Sequence, residues 1–421
     1  MSPVLAVLPA PLLQGGLAQR AESAIEAIAA GLAGMAVSVQ PQRDFGLAAG
    51  GAGLALALAE LSAAGRLRSG EGQVMARIER AVAALGAVRS HAGLFGGYTG
   101  TAWMVERLQD GFLDPDPGLN DEVDESLLET LGLGQGPLDH DLISGIVGIG
   151  VYGLERFPHG RSAELLETAL DILEWRAYWS DKGACWYAPV IPQDLLPEKD
   201  CDGPAPGSVN LGLSHGQPGV LAFLAGLLAA GVGGPRARTL LEAGVAWLLE
   251  HEGTADGRSH FSHAIQPDEP RRPSCRLAWC YGDLGIASAL WLAGRHAQQP
   301  AWSAKALELM ETAARRPVQD SGVHDPMLCH GAIGVAHAFH RFHRATGRET
   351  FRRAALHWTE HALHFHEEGL GIGGFRRFTL GNRVPDPYLL EGSAGLALGL
   401  LAGLGTADPA WDRFMLFSLP G

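Results

Sequence analysis

The 421-residue chain is 47% hydrophobic and 19% charged, a composition that excludes disorder and allows one large core or two smaller ones. A formal net charge of −14 argues against nucleic acid or an anionic membrane as the main partner. Five irregularly spaced cysteines make no disulfide framework and suit a reducing, cytoplasmic setting.

The chain begins with an apolar stretch, Met1 to Pro9, but no Lys or Arg precedes Arg20, so the basic region of a secretory signal is missing. Two kinds of segment then alternate. One is amphipathic, apolar at helical spacing with charges opposite, over residues 20–35, 75–88, 125–133, 162–179, 235–252, 301–318 and 349–365. In 301–318, Ala306, Leu307, Leu309, Met310 and Ala313 form the stripe, against Lys305, Glu308, Glu311 and Arg315. The other opens with Gly-x-x-Gly and continues as an apolar run, at Gly50, Gly97, Gly145, Gly216, Gly282, Gly331 and Gly392. With 57 glycines in the chain the pair alone means little; the context carries it, because the second residue after the pair is Ala or Gly in every block except the fourth, which has Leu221.

An apolar helix needs cover on every side, an amphipathic one on a single side. Seven inner helices ringed by seven outer ones satisfy both, so the sequence predicts an all-α fold, an α/α toroid, over one domain, 1–421. A stacked solenoid would not need one helix of each pair to be apolar all round. The run 219–234 falls short of the ~20 strongly apolar residues a bilayer requires and reads as a buried helix, with no transmembrane segment. The glycines are expected to give tight entrance turns and close helix approach. Residues 113–136 read as a solvated loop with a short helix. Residues 178–213 read as a non-helical excursion, extended chain or a hairpin over one mouth of the ring.

Residues just before each Gly pair are expected to share that mouth. Cys280 and Cys329 each stand two residues before their pair, and His330 follows Cys329. Two thiols and an imidazole with a fourth position open is a layout for catalytic zinc. Read alone, each cysteine is as well explained as a small buried hydrophobe; the shared register and the adjacent histidine favour metal. Cys185, Cys201 and Cys275 have no partner in register and read as structural or incidental. His337 and His340 lie past their Gly pair and read as core or surface histidines.

Val209-Asn210-Leu211-Gly212-Leu213-Ser214-His215-Gly216, Trp279-Cys280-Tyr281-Gly282 and Cys329-His330-Gly331 together resemble the signature blocks of the LanC lanthionine cyclases, and the likeness spans the whole chain. Pro218 departs from the smaller residue expected after His-Gly, harmlessly in a helix's first turn. The resemblance implies a lanthionine synthetase: peptide cysteine thiols add to dehydroalanine or dehydrobutyrine, giving thioether rings. It implies a dehydrated precursor peptide (leader plus core) as substrate, and a dehydratase and a transporter as partners in a complex at the membrane. It implies Zn2+ on Cys280, Cys329 and His330. His215, Asp141, Arg276 and Tyr281 match the remaining active-site positions: His215 as acid or base, Asp141 orienting it, Arg276 positioning Asp141 or steadying the enolate oxygen.

Rival readings stay open. A zinc prenyltransferase also presents a metal-bound thiolate from an α/α barrel. A glycoside hydrolase would recruit two carboxylates among Asp139, Asp141 and Glu391, leaving the Cys/Cys/His set idle. A cyclase-like protein adding glutathione, or a non-catalytic peptide-binding scaffold, completes the alternatives.

Overall fold

Each of the seven Gly-x-x-Gly blocks opens a helix. The structure, a computed structural model, describes residues 11–35, 45–67, 71–87, 90–109, 111–132, 138–188, 207–266, 272–405 and 409–420. In chain order its α-helices are α1 (Gly15–Ala33), α2 (Gly51–Ala63), α3 (Glu71–Ala87), α4 (Tyr98–Leu108), α5 (Asp121–Gly132), α6 (Ile146–Arg156), α7 (Ser162–Arg176), α8 (Gln217–Ala230), α9 (Gly234–Glu250), α10 (Asp283–His296), α11 (Pro300–Arg315), α12 (Ala332–Thr346), α13 (Glu349–His364) and α14 (Ser393–Leu404). Even-numbered helices are the inner ones. Nearly every residue of α8 and α14 is buried. The outer helices bury one stripe, as α11 does with Ala306, Leu309, Met310 and Ala313; Leu307 is only half-buried.

Outer helices α1, α3 and α5 begin four or five residues earlier than the apolar stripes predict. Their first turns hold Gly15, Glu71 and the acids Asp121, Glu122 and Asp124; acids there complement the helix dipole without joining a stripe. Helix α11 stops at Arg315, since Pro317 disfavours helical geometry in the residue before it.

A circle of main-chain hydrogen bonds closes the ring at the N-terminal ends of the inner helices. Ala48 N donates to Phe95 O (2.9 Å), Phe95 N to Ile143 O (3.0 Å), Leu142 N to Ser214 O (3.1 Å) and Ser214 N to Cys280 O (3.4 Å). Trp279 N donates to Cys329 O, Cys329 N to Leu390 O and Leu390 N back to Ala48 O, each at 3.0 Å. Every acceptor is the residue two before its Gly pair. The register inferred from the repeat is thus a physical one: equivalent residues sit at equivalent points of a closed circle. The second glycine of each pair makes this possible. A methyl at Gly148 would fall 2.4 Å from Leu142 O and 2.9 Å from Leu94 Cβ of the preceding block. Gly282, at φ +90°, has a backbone that other residues take up only with strain.

The C-terminal segment fills the middle. Its 3-10 turn, Ala410–Met415, brings Phe414 within 5.4 Å of Phe95 and of Trp103 on α4 (ring centroids). Trp279 Nε1 donates to Met415 O (2.8 Å). Asp412 accepts from His337 Nε2 of α12 (2.7 Å), and Arg341 donates to Phe417 O (2.8 Å). His337 is therefore a buried core histidine held through Nε2, while its Nδ1 has no hydrogen-bond partner among the described residues. The neighbouring His340 is buried too, and burial lowers its pKa to about 3.

Three two-stranded pairs complete the described residues: β1 (Tyr178–Ser180) with β2 (Gly183–Cys185), β3 (Val209–Asn210) with β4 (Ala264–Ile265), and β5 (Arg377–Thr379) with β6 (Asn382–Val384). The first begins the excursion at 178. It packs against outer helices, with Gly183 against Ala243 O of α9 and Trp186 Nε1 donating to Leu173 O of α7 (2.9 Å). The segment 189–206, including Cys201, lies outside the described residues. Strand β3 falls within the stretch read as extended, but its pairing with β4 and the β5–β6 hairpin were not anticipated. Among the described residues no helix is long and apolar enough to cross a membrane.

Candidate metal centre

Cys280 and Cys329 hold successive places on the hydrogen-bonded circle, so their side chains start from equivalent backbone positions one block apart. The result is close convergence: ligand atoms of Cys280, Cys329 and His330 all lie within 4.8 Å of one another. Both cysteines are buried and His330 is half-buried. Two sulfurs and one imidazole suit zinc by donor softness, and three protein donors leave a fourth position for an outside ligand. These residues fit the metal that the sequence reading calls for.

The sulfurs are electrostatically unequal. Hydrogen bonding with Cys329 holds the Cys280 thiol well below its ordinary pKa; burial opposes this, while His330 and the Arg276 guanidinium assist. Cys329, sharing that bond and buried, is pushed up. Arg276 Nη2 lies 3.8 Å from Cys280 Sγ. Of the two roles expected for Arg276, positioning Asp141 has no hydrogen bond behind it; Arg276 attends the sulfur instead.

The third and fourth blocks together supply an Asp–His pair. His215 Nδ1 is 2.7 Å from Asp141 Oδ2, while Asp141 Oδ1 accepts from Ser144 N (2.8 Å). Burial disfavours the His215 imidazolium, but the bond to Asp141 outweighs it and the pKa is raised. Asp141, buried yet bonded to His215, is lowered. His215 remains 44% exposed, leaving its other nitrogen for a ligand in the mouth. Tyr281, its neighbour at 6.4 Å between ring centroids, accepts a hydrogen bond from Asn210 Nδ2 (3.0 Å). Burial pushes the phenol up to about 12, so it stays neutral with its proton available.

The sequence reading quoted Asn210 in a motif and gave it no role; the structure shows it fixing Tyr281. It also weighed Asp139, Asp141 and Glu391 as a carboxylate pair. Each has a basic partner instead: Asp139 has His140 (2.7 Å), Asp141 has His215, and Glu391 is paired with Arg377. Cys275 and Cys185 stay outside the cluster, with burial raising their pKa to about 12 and about 11. A second group, Glu252, His260 and Glu308, is bridged by Lys305 Nζ at 3.2 Å from Glu252 and 2.7 Å from Glu308; an ammonium already serves there.

Fold and cluster together define an α/α toroid with a Cys/Cys/His centre and an Asp–His pair at one mouth. Residues 41–416 match the family described as lanthionine synthetase C-like protein, and the chain belongs to that family. Among solved structures it is similar to nisin cyclase, at TM-score 0.69 and 20% identity, covering 89% of this chain and 93% of that one. A cellobiose 2-epimerase from Spirochaeta thermophila DSM 6192 matches at TM-score 0.40 and 13% identity, over 62% of this chain and 68% of that one. No curated protein matches.

Proposed function

We propose that the chain is a zinc-dependent lanthionine synthetase, acting as one domain over 1–421 in the cytoplasm on a dehydrated precursor peptide. Peptide cysteine thiols add to dehydroalanine or dehydrobutyrine and close thioether rings. The observation that carries this reading is the convergence of Cys280, Cys329 and His330 within 4.8 Å, in a chain of the lanthionine synthetase C-like family. Zinc held by these three side chains supplies acidity to a thiol, whose free pKa near 8.5 leaves only a few per cent ionised at neutral pH.

The rest falls to the protein. In the addition, a sulfur–carbon bond forms at the β-carbon, the carbon–carbon double bond is lost, and the thiol proton is replaced by a proton gained at the α-carbon. One acid–base group can serve both ends of that exchange. His215 is that group: Asp141 holds Nδ1, and the other ring nitrogen takes or gives the proton. Tyr281, kept neutral, donates a hydrogen bond toward the developing enolate, and Arg276, beside Cys280 Sγ, brings positive charge to the same mouth. A dehydratase that makes the substrate and a transporter that exports the product complete the proposed setting, a complex at the membrane.

The test uses purified protein and a dehydrated, cysteine-containing peptide. Thiols available to alkylation should disappear at constant peptide mass, and a chelator should stop the loss. About one zinc per chain is expected, lost together with cyclisation in C280A and C329A. A glutathione adduct in place of a ring, or cyclisation by a metal-stripped chain, would contradict the proposal.

A further inference from the structure

We propose that Glu391 is the positioning residue for His330, held in place by Arg377; the inference rests on the metal-site reading above. The argument begins with register. The residues immediately before the seven Gly pairs are Ala49, Gly96, Ser144, His215, Tyr281, His330 and Glu391. Two of these, His215 and Tyr281, belong to the active-site set and His330 to the metal set. Glu391 follows His330 around the circle, on loops joined by the bond from Cys329 N to Leu390 O (3.0 Å).

The second observation is an orphan. His330 Nδ1 is buried and has no hydrogen-bond partner, and Glu391 Oε1 stands 4.0 Å from it. A buried ring nitrogen without a partner carries a desolvation cost that nothing offsets, so the pair has an incentive to close. A carboxylate shift of about 1 Å would bring them within hydrogen-bonding distance.

The third is the way Glu391 is held. Its Oε2 is ion-paired with Arg377, whose Nε lies 3.2 Å from Asp386 Oδ2. Arg377 lies on β5, whose next residue, Phe378, donates its N–H to buried Asp325 Oδ2 (3.0 Å). The hairpin β5–β6 therefore fixes the guanidinium, and the guanidinium fixes one carboxylate oxygen, leaving Oε1 for the imidazole. Metal-bound imidazoles generally donate their second ring N–H to such an acceptor, which sets tautomer and ring orientation. A proton on Nδ1 shared with Glu391 leaves Nε2 its lone pair for metal. Arg377 also offsets the negative charge that a bare carboxylate would bring near two sulfurs.

Zinc affinity of the full chain, measured by competition against a chromogenic chelator, tests this, with the thermal unfolding of metal-free protein as the control for folding. E391A should bind zinc about 10- to 100-fold more weakly than wild type. E391Q, which keeps an amide oxygen as acceptor and the side chain's shape, should lose less. Unfolding midpoints of the metal-free proteins should agree. Wild-type zinc affinity in both variants would overturn the assignment alone. A wild-type chain that takes up no zinc, like C280A, would overturn the metal-site reading and this inference with it.

Discussion

Asp141 acts through His215, and the sign of that coupling is testable. The raised His215 pKa stabilises the fold below the ordinary histidine value and is lost as pH rises through the raised one. The lowered Asp141 pKa stabilises above the ordinary carboxylate range and is lost as pH falls through the lowered one. The ion pair therefore contributes most between about pH 4 and 6.5. D141N should destabilise the chain more at pH 5.5 than at pH 9 in urea unfolding, by a modest amount because His215 is half solvated. Nuclear magnetic resonance titration of D141N should show the His215 pKa falling. A pH-independent loss of stability would contradict the pairing. Cys280, Cys329 and His330 were legible as a set because the repeat gave their register. The partner of Arg276 was not legible, since a seven-carbon-and-nitrogen side chain reaches any of several neighbours and register says nothing of its rotamer.

At the scale of elements, the Gly pairs show how the same residue type carries opposite consequences. In G148A the added methyl meets Leu142 O and Leu94 Cβ with no flexible side-chain end to move aside, so a loss of about 1–3 kcal/mol is expected. Gly86 on α3 has nothing within 4 Å of an added Cβ. G86A should be neutral or stabilising by up to about 1 kcal/mol, from helix propensity. Urea titrations of the two variants check both signs; equal effects would remove the packing role assigned to the pairs. Helix type was readable because apolar runs and stripes differ in how much cover they need. Strand pairs β3–β4 and β5–β6, two or three residues each, are too short for a period-two pattern to stand out.

The whole molecule depends on its last dozen residues, which no repeat announces. The plug has no helical periodicity, only a cluster of Trp411, Phe414, Met415 and Phe417 at the end of the chain. Its anchor is Asp412, fully buried beside His337, Arg341 and Ser418. D412A would remove the buried carboxylate that His337, Arg341 and Ser418 share, so a loss of about 3–5 kcal/mol is expected in equilibrium unfolding. A change below about 1 kcal/mol would mean that the plug is dispensable to the ring. The toroid itself was legible from seven blocks and seven stripes. How its hole is filled was not, because Phe95 and Trp103 meet Phe414, and Trp279 meets Met415, from distant parts of the chain.

The central claim is that two cysteines and one histidine of neighbouring blocks share one metal ion. X-ray absorption at the zinc edge of the zinc-loaded chain reads that shell directly. The account predicts two sulfurs at about 2.3 Å and one imidazole nitrogen near 2.0–2.1 Å, with one further light-atom ligand. A shell of nitrogen and oxygen alone, or one unchanged in C280A, would contradict it.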